Sequence, residues 1–366
     1  EYTKARVTTL HEYCAICDEP FPRPPMVMRT VCNRQLCVHG FVEFGSLLTT
    51  AEGVHNRTEI VDLLLSIFFR ASTHLRANII LDPFPCVYDT ENWRRRIFDP
   101  RQPNLSELQG VVNRMLQDRR GLLEATKLTG TELPPVSLSL MNWVVSSNRS
   151  FLAPLQECDL IHDFGTSYQY ILLSAPPERE REFQRLKQIH GSSFAYHGSP
   201  PENWHSILRN GLKNATSTKL MTCGAAYGAG IYLSLDSVLS LHYAAPRQPD
   251  AMSAWGLISQ NQPAAPPQNK RAKTEGSLLD KMETLVMMAV CEVITHPSIT
   301  KHKDNIIWVA PKEETVTTRF LLVFADMKQL SSRNVRMTAN LEEQIRQKMQ
   351  KLGVGVSSGG VAPAGQ

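Results

Sequence analysis

Two short stretches hold residue types that can do chemistry together. Tyr196-His197-Gly198-Ser199 closes one apolar run, and Tyr227-Gly228-Ala229-Gly230-Ile231-Tyr232-Leu233-Ser234 forms another. A glycine directly after a histidine at a strand end lets a ligand come close to the main chain, since no Cβ intervenes. The backbone amide there can read a carboxamide, and the imidazole beside it can hydrogen-bond a ribose hydroxyl. Gly228 and Gly230 open the backbone a second time, and strand alternation turns Tyr232 away from Ile231 and Leu233, toward a cleft. Ser240 and Tyr243 follow on a helix, where a spacing of three puts a hydroxyl and a flat ring on one face. These groups suit a planar aromatic amide carried on a ribose.

A Tyr-His-Gly turn alone is ordinary turn chemistry, and Gly-x-Gly is common. The combination with Ser240 and Tyr243, eight and eleven residues after Tyr232, resembles the nicotinamide pocket of the poly(ADP-ribose) polymerase superfamily over roughly residues 168–326. The resemblance implies that His197 holds the adenosine ribose of NAD+. Gly198 and Ser240 would take the nicotinamide carboxamide, Tyr232 and Tyr243 would sandwich its ring, and Ser199 would belong to the same cofactor-binding turn. It also implies a fold, a split antiparallel β-sheet of the ADP-ribosyltransferase type.

In the polymerising members of that superfamily a Glu opening a late strand orients an acceptor hydroxyl. The corresponding strand here reads Thr317-Thr-Arg-Phe-Leu-Leu-Val-Phe324, and alignment on its apolar core puts Phe320 at the Glu position, after Arg319. A phenyl ring neither accepts a proton nor bonds a hydroxyl, so base activation of a sugar acceptor is lost there. With His197, Tyr232 and Phe320 in the three catalytic positions, the chain resembles the mono-ADP-ribosyltransferase branch that contains members six and eight. The expected activity is that of a glycosyltransferase of the pentosyl class. It would move one ADP-ribose from NAD+ to a side chain of a protein acceptor, the chain itself among them, and release nicotinamide. The rival expectation is a silent NAD+ or ADP-ribose sensor, which Phe320 favours.

Cys14-x2-Cys17 and Cys32-x4-Cys37, with His39 just beyond, crowd soft ligands into the head of the chain. Tetrahedral Zn2+ reads such a set through Cys14, Cys17, Cys32 and Cys37, with His39 as a substitute for Cys37. The other reading is of reduced thiols packing a small loop. A closed four-ligand site would be structural.

The elements that must position these groups fall into an α+β order. Residues 1–45 form the Cys-rich module and 46–135 a helical region. The transferase domain spans 136–330, with a Pro-, Ala- and Gln-rich insertion at 246–277 expected to be disordered. A C-terminal helix and a loose tail occupy 331–366. The apolar run Ile60–Phe69, which includes Asp62, is about half of a bilayer span and is expected to be a buried helix. Leu105, Leu108, Val111, Val112, Met115 and Leu116 carry helical spacing, with Asn104 or Ser106 as cap. Strands are expected at Met141–Ser146, Tyr168–Ser174, Ser192–Tyr196, Thr284–Ile294, Asn305–Ala310 and Thr317–Ala325. Helices are expected at Pro176–His190 and at Pro200–Asn210, the latter stopped by Gly211. His205 and His242 are expected at the surface or in caps, Cys223 and Cys291 as packing thiols, and Tyr227 as pocket wall or loop filler.

Composition narrows the classes further. With 42% hydrophobic and 20% charged residues the chain is expected to fold rather than stay disordered or form a coiled coil. A net charge of +4, from 39 basic against 35 acidic residues, lends no support to a nucleic-acid partner, although Lys270-Arg-Ala-Lys273 keeps a basic contact open as a lesser alternative. Eight cysteines are too sparse for a secreted disulfide scaffold. An intracellular, reducing compartment is expected, the cytoplasm ahead of the nucleus. No membrane span is expected, and oligomeric state is not written in the composition. The chain opens on Glu1 with no signal-peptide pattern, so a fragment or a missing native start is expected.

Overall fold

The computed structural model of the chain describes residues 13–14, 19, 51–89, 95–118, 122, 134–148, 151–174, 177–219, 221, 226–244, 277–325 and 334–354. Eight antiparallel strands build its main sheet: β3 (Phe151–Pro154), β4 (Tyr168–Ser174), β5 (Ser192–Gly198), β6 (Ile231–Ser234), β7 (Val286–Ile294), β8 (Thr300–His302), β9 (Ile307–Ala310) and β10 (Val316–Phe324). Their order across the sheet is β3-β4-β10-β7-β5-β6-β9-β8. A separate ribbon pairs β1 (Val87–Tyr88) with β2 (Arg96–Phe98).

The central strands are apolar on both faces because helices cover both. Along β10, Phe320, Leu322 and Phe324 pack into one core, while Leu321, Val323 and the following Ala325 pack into the other, the period of two expected of a strand. The first core takes Leu341, Ile345 and Met349 from helix α8 (Ala339–Lys351) and Leu241 from α7 (Ser237–Ala244). Those three α8 residues, spaced by four, form the apolar stripe of an amphipathic helix, and Thr338 caps its start by accepting from the Leu341 amide.

The opposite core joins the sheet to the helical region. Helix α1 (Ala51–Thr73) buries Leu63, Leu64, Ile67, Phe68 and Ala71 there. It packs with α3 (Leu105–Gln117), α4 (Pro135–Ser146) and α6 (Trp204–Asn210). Of the two caps open in the sequence, α3 uses Asn104, whose side chain accepts from the Glu107 amide at 3.1 Å. Among the described residues no helix is long and apolar enough to cross a membrane.

Asp62 on α1 ties the two halves of the chain together. Its buried carboxylate accepts from the Leu278 amide at 2.7 Å, the Leu279 amide at 2.9 Å and the Ser277 hydroxyl at 2.7 Å, holding the turn that leads into β7.

Three expectations are corrected. Met141–Ser146 is the end of helix α4, not a strand: Ser137, Leu140, Met141, Val144 and Asn148 are the buried positions, which is helical spacing, and Pro135 is tolerated in the first turn. The adjacent β-branched Val144-Val145 suggested a strand, but packing against α1 decides. His205 is not at the surface; it is fully buried, its ring 5.5 Å from that of Phe68, with Nε2 donating to the Pro83 carbonyl at 3.2 Å. The stretch from Tyr227 becomes strand only at Ile231, after a turn in which Gly228 takes a φ of +99°, a conformation that favours glycine. Strands β3 and β8 and the β1–β2 ribbon were not foreseen. Cys291 is a fully buried thiol, as expected, and burial pushes it up to about 12. Cys17, Cys32, Cys37, His39, Cys223 and the 246–276 part of the insertion lie outside the described residues. Cys14 is described and buried.

Candidate active site

β5 and β6 meet through one registered pair, Tyr196 with Ser234, whereas β5 runs in register with β7 over seven residues, from Ser192 to Gly198. Past that single rung the two strands diverge, and the sheet splits. His197 and Gly198 continue β5 on one side of the opening, and Ile231 and Tyr232 begin β6 on the other. The cleft so formed has a volume of about 230 Å3 and is lined by His197, Gly198, Ser199, Tyr232, Ser240 and Tyr243 together.

Each of these groups is held by its local structure. The tip after β5 is pinned from below: Trp204 Nε1 donates to the Ser199 carbonyl at 2.9 Å, and Asn203 Nδ2 donates to Ser199 Oγ at 3.0 Å. A Cβ on Gly198 would fall on the carbonyl of Ser240, so glycine is what lets the strand tip and α7 touch. Helix α7 starts at a fixed point, because Asp236 Oδ1 accepts from the Val238 amide at 2.9 Å and the Leu239 amide at 3.3 Å. One α7 face then presents Ser240, buried, and Tyr243, which is 48% exposed at the cleft mouth.

His197 Nδ1 lies 2.9 Å from the Tyr232 carbonyl. A carbonyl only accepts, so Nδ1 carries the proton. Burial holds the ring below the ordinary histidine range, against the pull of that hydrogen bond, and it is therefore neutral near pH 7. The lone pair is on Nε2.

Tyr232 is locked by its own hydroxyl, which donates to the Gly228 carbonyl at 2.8 Å and accepts from the Tyr227 amide at 2.9 Å. Its phenol is thus committed to the preceding turn, while Tyr232 lines the cleft. Gly230 sits too close to β9 for a side chain, since a Cβ would lie 2.6 Å from Val309 Cγ1 and 2.8 Å from the Ala310 carbonyl. Tyr227 is a pocket wall, backed by the His302 ring at 4.7 Å.

Phe320 is not brought to the cleft. It is 0% exposed and packs with Tyr196, Val290 and Leu241 in the core on the α7 side of the sheet. A register shift in β10 between Thr318 and Phe320 gives Arg319 its own direction. Its guanidinium meets Glu292 Oε2 at 2.9 Å and the Glu180 carboxylate at 2.9 and 3.0 Å. Burial alone would raise the Glu292 carboxyl, but Arg319, Lys187 and Ser192 outweigh it and hold it below the ordinary range. This charge cluster braces β10 against β7 and α5 (Pro177–His190).

Residues not singled out from the sequence complete the cleft: Ile80 from the helical region, and Leu212, Lys213, Thr216 and Met221 from the loop after α6. Among the described lining residues none is a carboxylate.

Residues 171–317 match the poly(ADP-ribose) polymerase catalytic domain. The matched span holds the six cleft residues and ends short of Phe320, whose assignment to the third position therefore rests on strand alignment alone. Over 332 residues the chain is 36% identical to the protein mono-ADP-ribosyltransferase PARP8 of Mus musculus, covering 89% of this chain and 39% of the relative. The likeness to PARP8 of Homo sapiens is equal in identity and covers 38% of that protein. Protein mono-ADP-ribosyltransferase PARP16 of Mus musculus is 27% identical over 267 residues, 67% of this chain and 66% of the relative. The chain spans about two fifths of the length of the PARP8 relatives. Of the two members that the motifs resembled, eight is matched, and sixteen joins it at lower identity. The α+β architecture with its antiparallel sheet agrees with the catalytic domain of this family.

Proposed function

We propose that this chain binds NAD+ in the split of its sheet and transfers one ADP-ribose to a side chain of a protein, releasing nicotinamide. The observation that carries this reading is the convergence of His197, Gly198, Tyr232, Ser240 and Tyr243 on one cleft. The names of the PARP8 and PARP16 relatives support it.

The fit follows from the groups present. A neutral imidazole with its lone pair on Nε2 accepts the proton of a ribose hydroxyl. The Gly198 main chain and the Ser240 hydroxyl offer the mixed donor and acceptor character that a carboxamide needs. The immobilised Tyr232 ring and the half-exposed Tyr243 ring supply two flat apolar faces. NAD+ brings its own leaving group, a positively charged pyridine whose departure passes through an oxocarbenium-like sugar. The protein's work is then to orient the ring and hold the ribose. Each contact that tightens only in the transition state contributes about 2.7–4 kcal/mol, the cost of removing an oxyanion-hole donor.

The lack of a carboxylate among the described lining residues supports transfer of single units rather than chains, since an acceptor sugar would find no base. The same fact favours the second reading, a silent NAD+ or ADP-ribose sensor. Incubation with labelled NAD+ and a protein acceptor, followed by mass spectrometry of the adducts, separates the two. Single ADP-ribose units on side chains, lost in His197→Ala, support transfer; binding without covalent label establishes the sensor; absence of binding removes both.

The Cys-rich head belongs to the proposal as a structural zinc module. Metal analysis of the purified chain tests it, with stoichiometric zinc lost in Cys14→Ser as the expected result.

A further inference from the structure

The loop from Gly211 to Met221 walls the far end of the cleft with Leu212, Lys213, Ala215, Thr216 and Met221. One side of the loop bonds the end of the sheet, where the Asn214 amide donates to Glu313 Oε1 at 2.9 Å and Asn214 Nδ2 to the Pro311 carbonyl at 3.3 Å, and the other side meets the turn between α1 and α2 (Ala77–Ile80) and the stretch that follows. Arg76 Nη2 donates to the Lys219 carbonyl at 2.6 Å. Asn210 Nδ2, at the root of the loop, donates to the Asp82 carbonyl at 2.8 Å, and Lys213 Nζ lies 3.8 Å from the Asp82 carboxylate. Ile80 itself enters the cleft wall.

The loop is also joined to the ring wall. Thr216 Oγ1 accepts from the Gly230 amide at 3.1 Å, and Gly230 belongs to the turn that the Tyr232 hydroxyl closes. A continuous path of hydrogen bonds and covalent chain thus runs from Arg76 through Lys219 and Thr216 to the turn before Tyr232.

We propose that residues 76–82 of the helical region clamp this loop, with Arg76 as a positioning residue that sets the width of the cleft. This rests on the reading of the cleft as the NAD+ site. Arg76 touches only the end of the loop, so it acts on the dinucleotide through loop position, and on the nicotinamide pocket little. The helical region is then a working part of the cleft, and a domain cut at residue 135 would remove this side of the loop's support and leave only its bonds to the transferase side, among them those to Arg179, Gly230, Pro311 and Glu313.

The test uses the full chain with Arg76→Ala and Arg76→Lys. Arg76→Ala is expected to raise the KM for NAD+ about five-fold, the net worth of about one hydrogen bond, while kcat changes less than about two-fold. Amide exchange at 212–219 is expected to accelerate with the melting temperature nearly unchanged, Arg76→Lys to recover most of both effects, and affinity for free nicotinamide to stay at the wild-type level. Unaltered exchange at 212–219 in Arg76→Ala overturns the clamp. If wild-type chain binds no NAD+, the proposed function fails, and the exchange measurement still decides the clamp by itself.

Discussion

Tyr196 and Ser234 are the single registered pair between β5 and β6, and the cleft opens directly beyond them. The cleft is a consequence of unfinished strand pairing: the main chain that would have formed further rungs borders the opening instead. The residues at that fork are accordingly the ones whose alteration gives the sharpest effects.

Gly198→Ala pushes a methyl group into the Ser240 carbonyl, so the strand tip and α7 must separate. Overpacking of this kind costs about 1–3 kcal/mol, and a main-chain obstacle lies at the upper end. Calorimetric titration should show nicotinamide affinity lost in a chain that remains folded by circular dichroism. Wild-type affinity would place the carboxamide elsewhere.

Tyr232→Phe keeps the ring and removes both hydrogen bonds of its hydroxyl, each worth about 0.5–1.5 kcal/mol. We expect nicotinamide release to fall about ten-fold, an effect of about 1.4 kcal/mol on ring position. Tyr232→Ala, which also deletes the ring, should fall much further. Equal rates for the two variants would mean that the ring face does nothing.

His197 and His205 both lie below the ordinary histidine range because burial penalises their charged forms, with Arg209 adding to the effect at His205. The unfolded chain takes up protons at these positions below about pH 6.5, whereas the folded chain does not until its lowered values are reached. Stability therefore falls as pH drops through that window and is unaffected by these groups above it. Urea midpoints measured between about pH 7.5 and about pH 5.5 should decline, and His205→Gln should flatten the decline even with a lower plateau. A flat wild-type profile contradicts the assignment.

Phe320→Glu will not restore chain growth, because position 320 faces Tyr196, Val290 and Leu241 rather than the cleft. An unpaired carboxylate in that core costs several kcal/mol, whereas Phe320→Leu should cost no more than about 3 kcal/mol. Thermal melts and electrophoresis of automodified chain check both halves. Long polymers from a folded Phe320→Glu protein would overturn the placement.

The site was legible where its residues share one local unit. Ser240 and Tyr243 share one helix face by spacing, and the family resemblance added Tyr232 on the strand before it. His197-Gly198 could be added because a glycine at a strand tip advertises close approach. The walls made by Ile80 and Thr216 left no such trace: their position depends on α2 and the 211–221 loop meeting across a long separation in sequence, which no periodicity encodes. The α4 error has a different cause, since Val144-Val145 favours a strand locally and the helix exists because α1 offers its apolar face. Buried polar residues escaped as well. Arg209, 1% exposed and lowered to about 9 by burial, bonds Ser147 and the carbonyls of Val144 and His205, partners that only the folded chain assembles.

Asp62 seizes the chain at Ser277, Leu278 and Leu279, immediately before β7 begins its long pairing with β5 and β10. The start of β7 is thereby anchored to α1 by three hydrogen bonds. Loss of the carboxylate at Asp62 is therefore felt beyond α1, in the pairing of β7 with both of its neighbours.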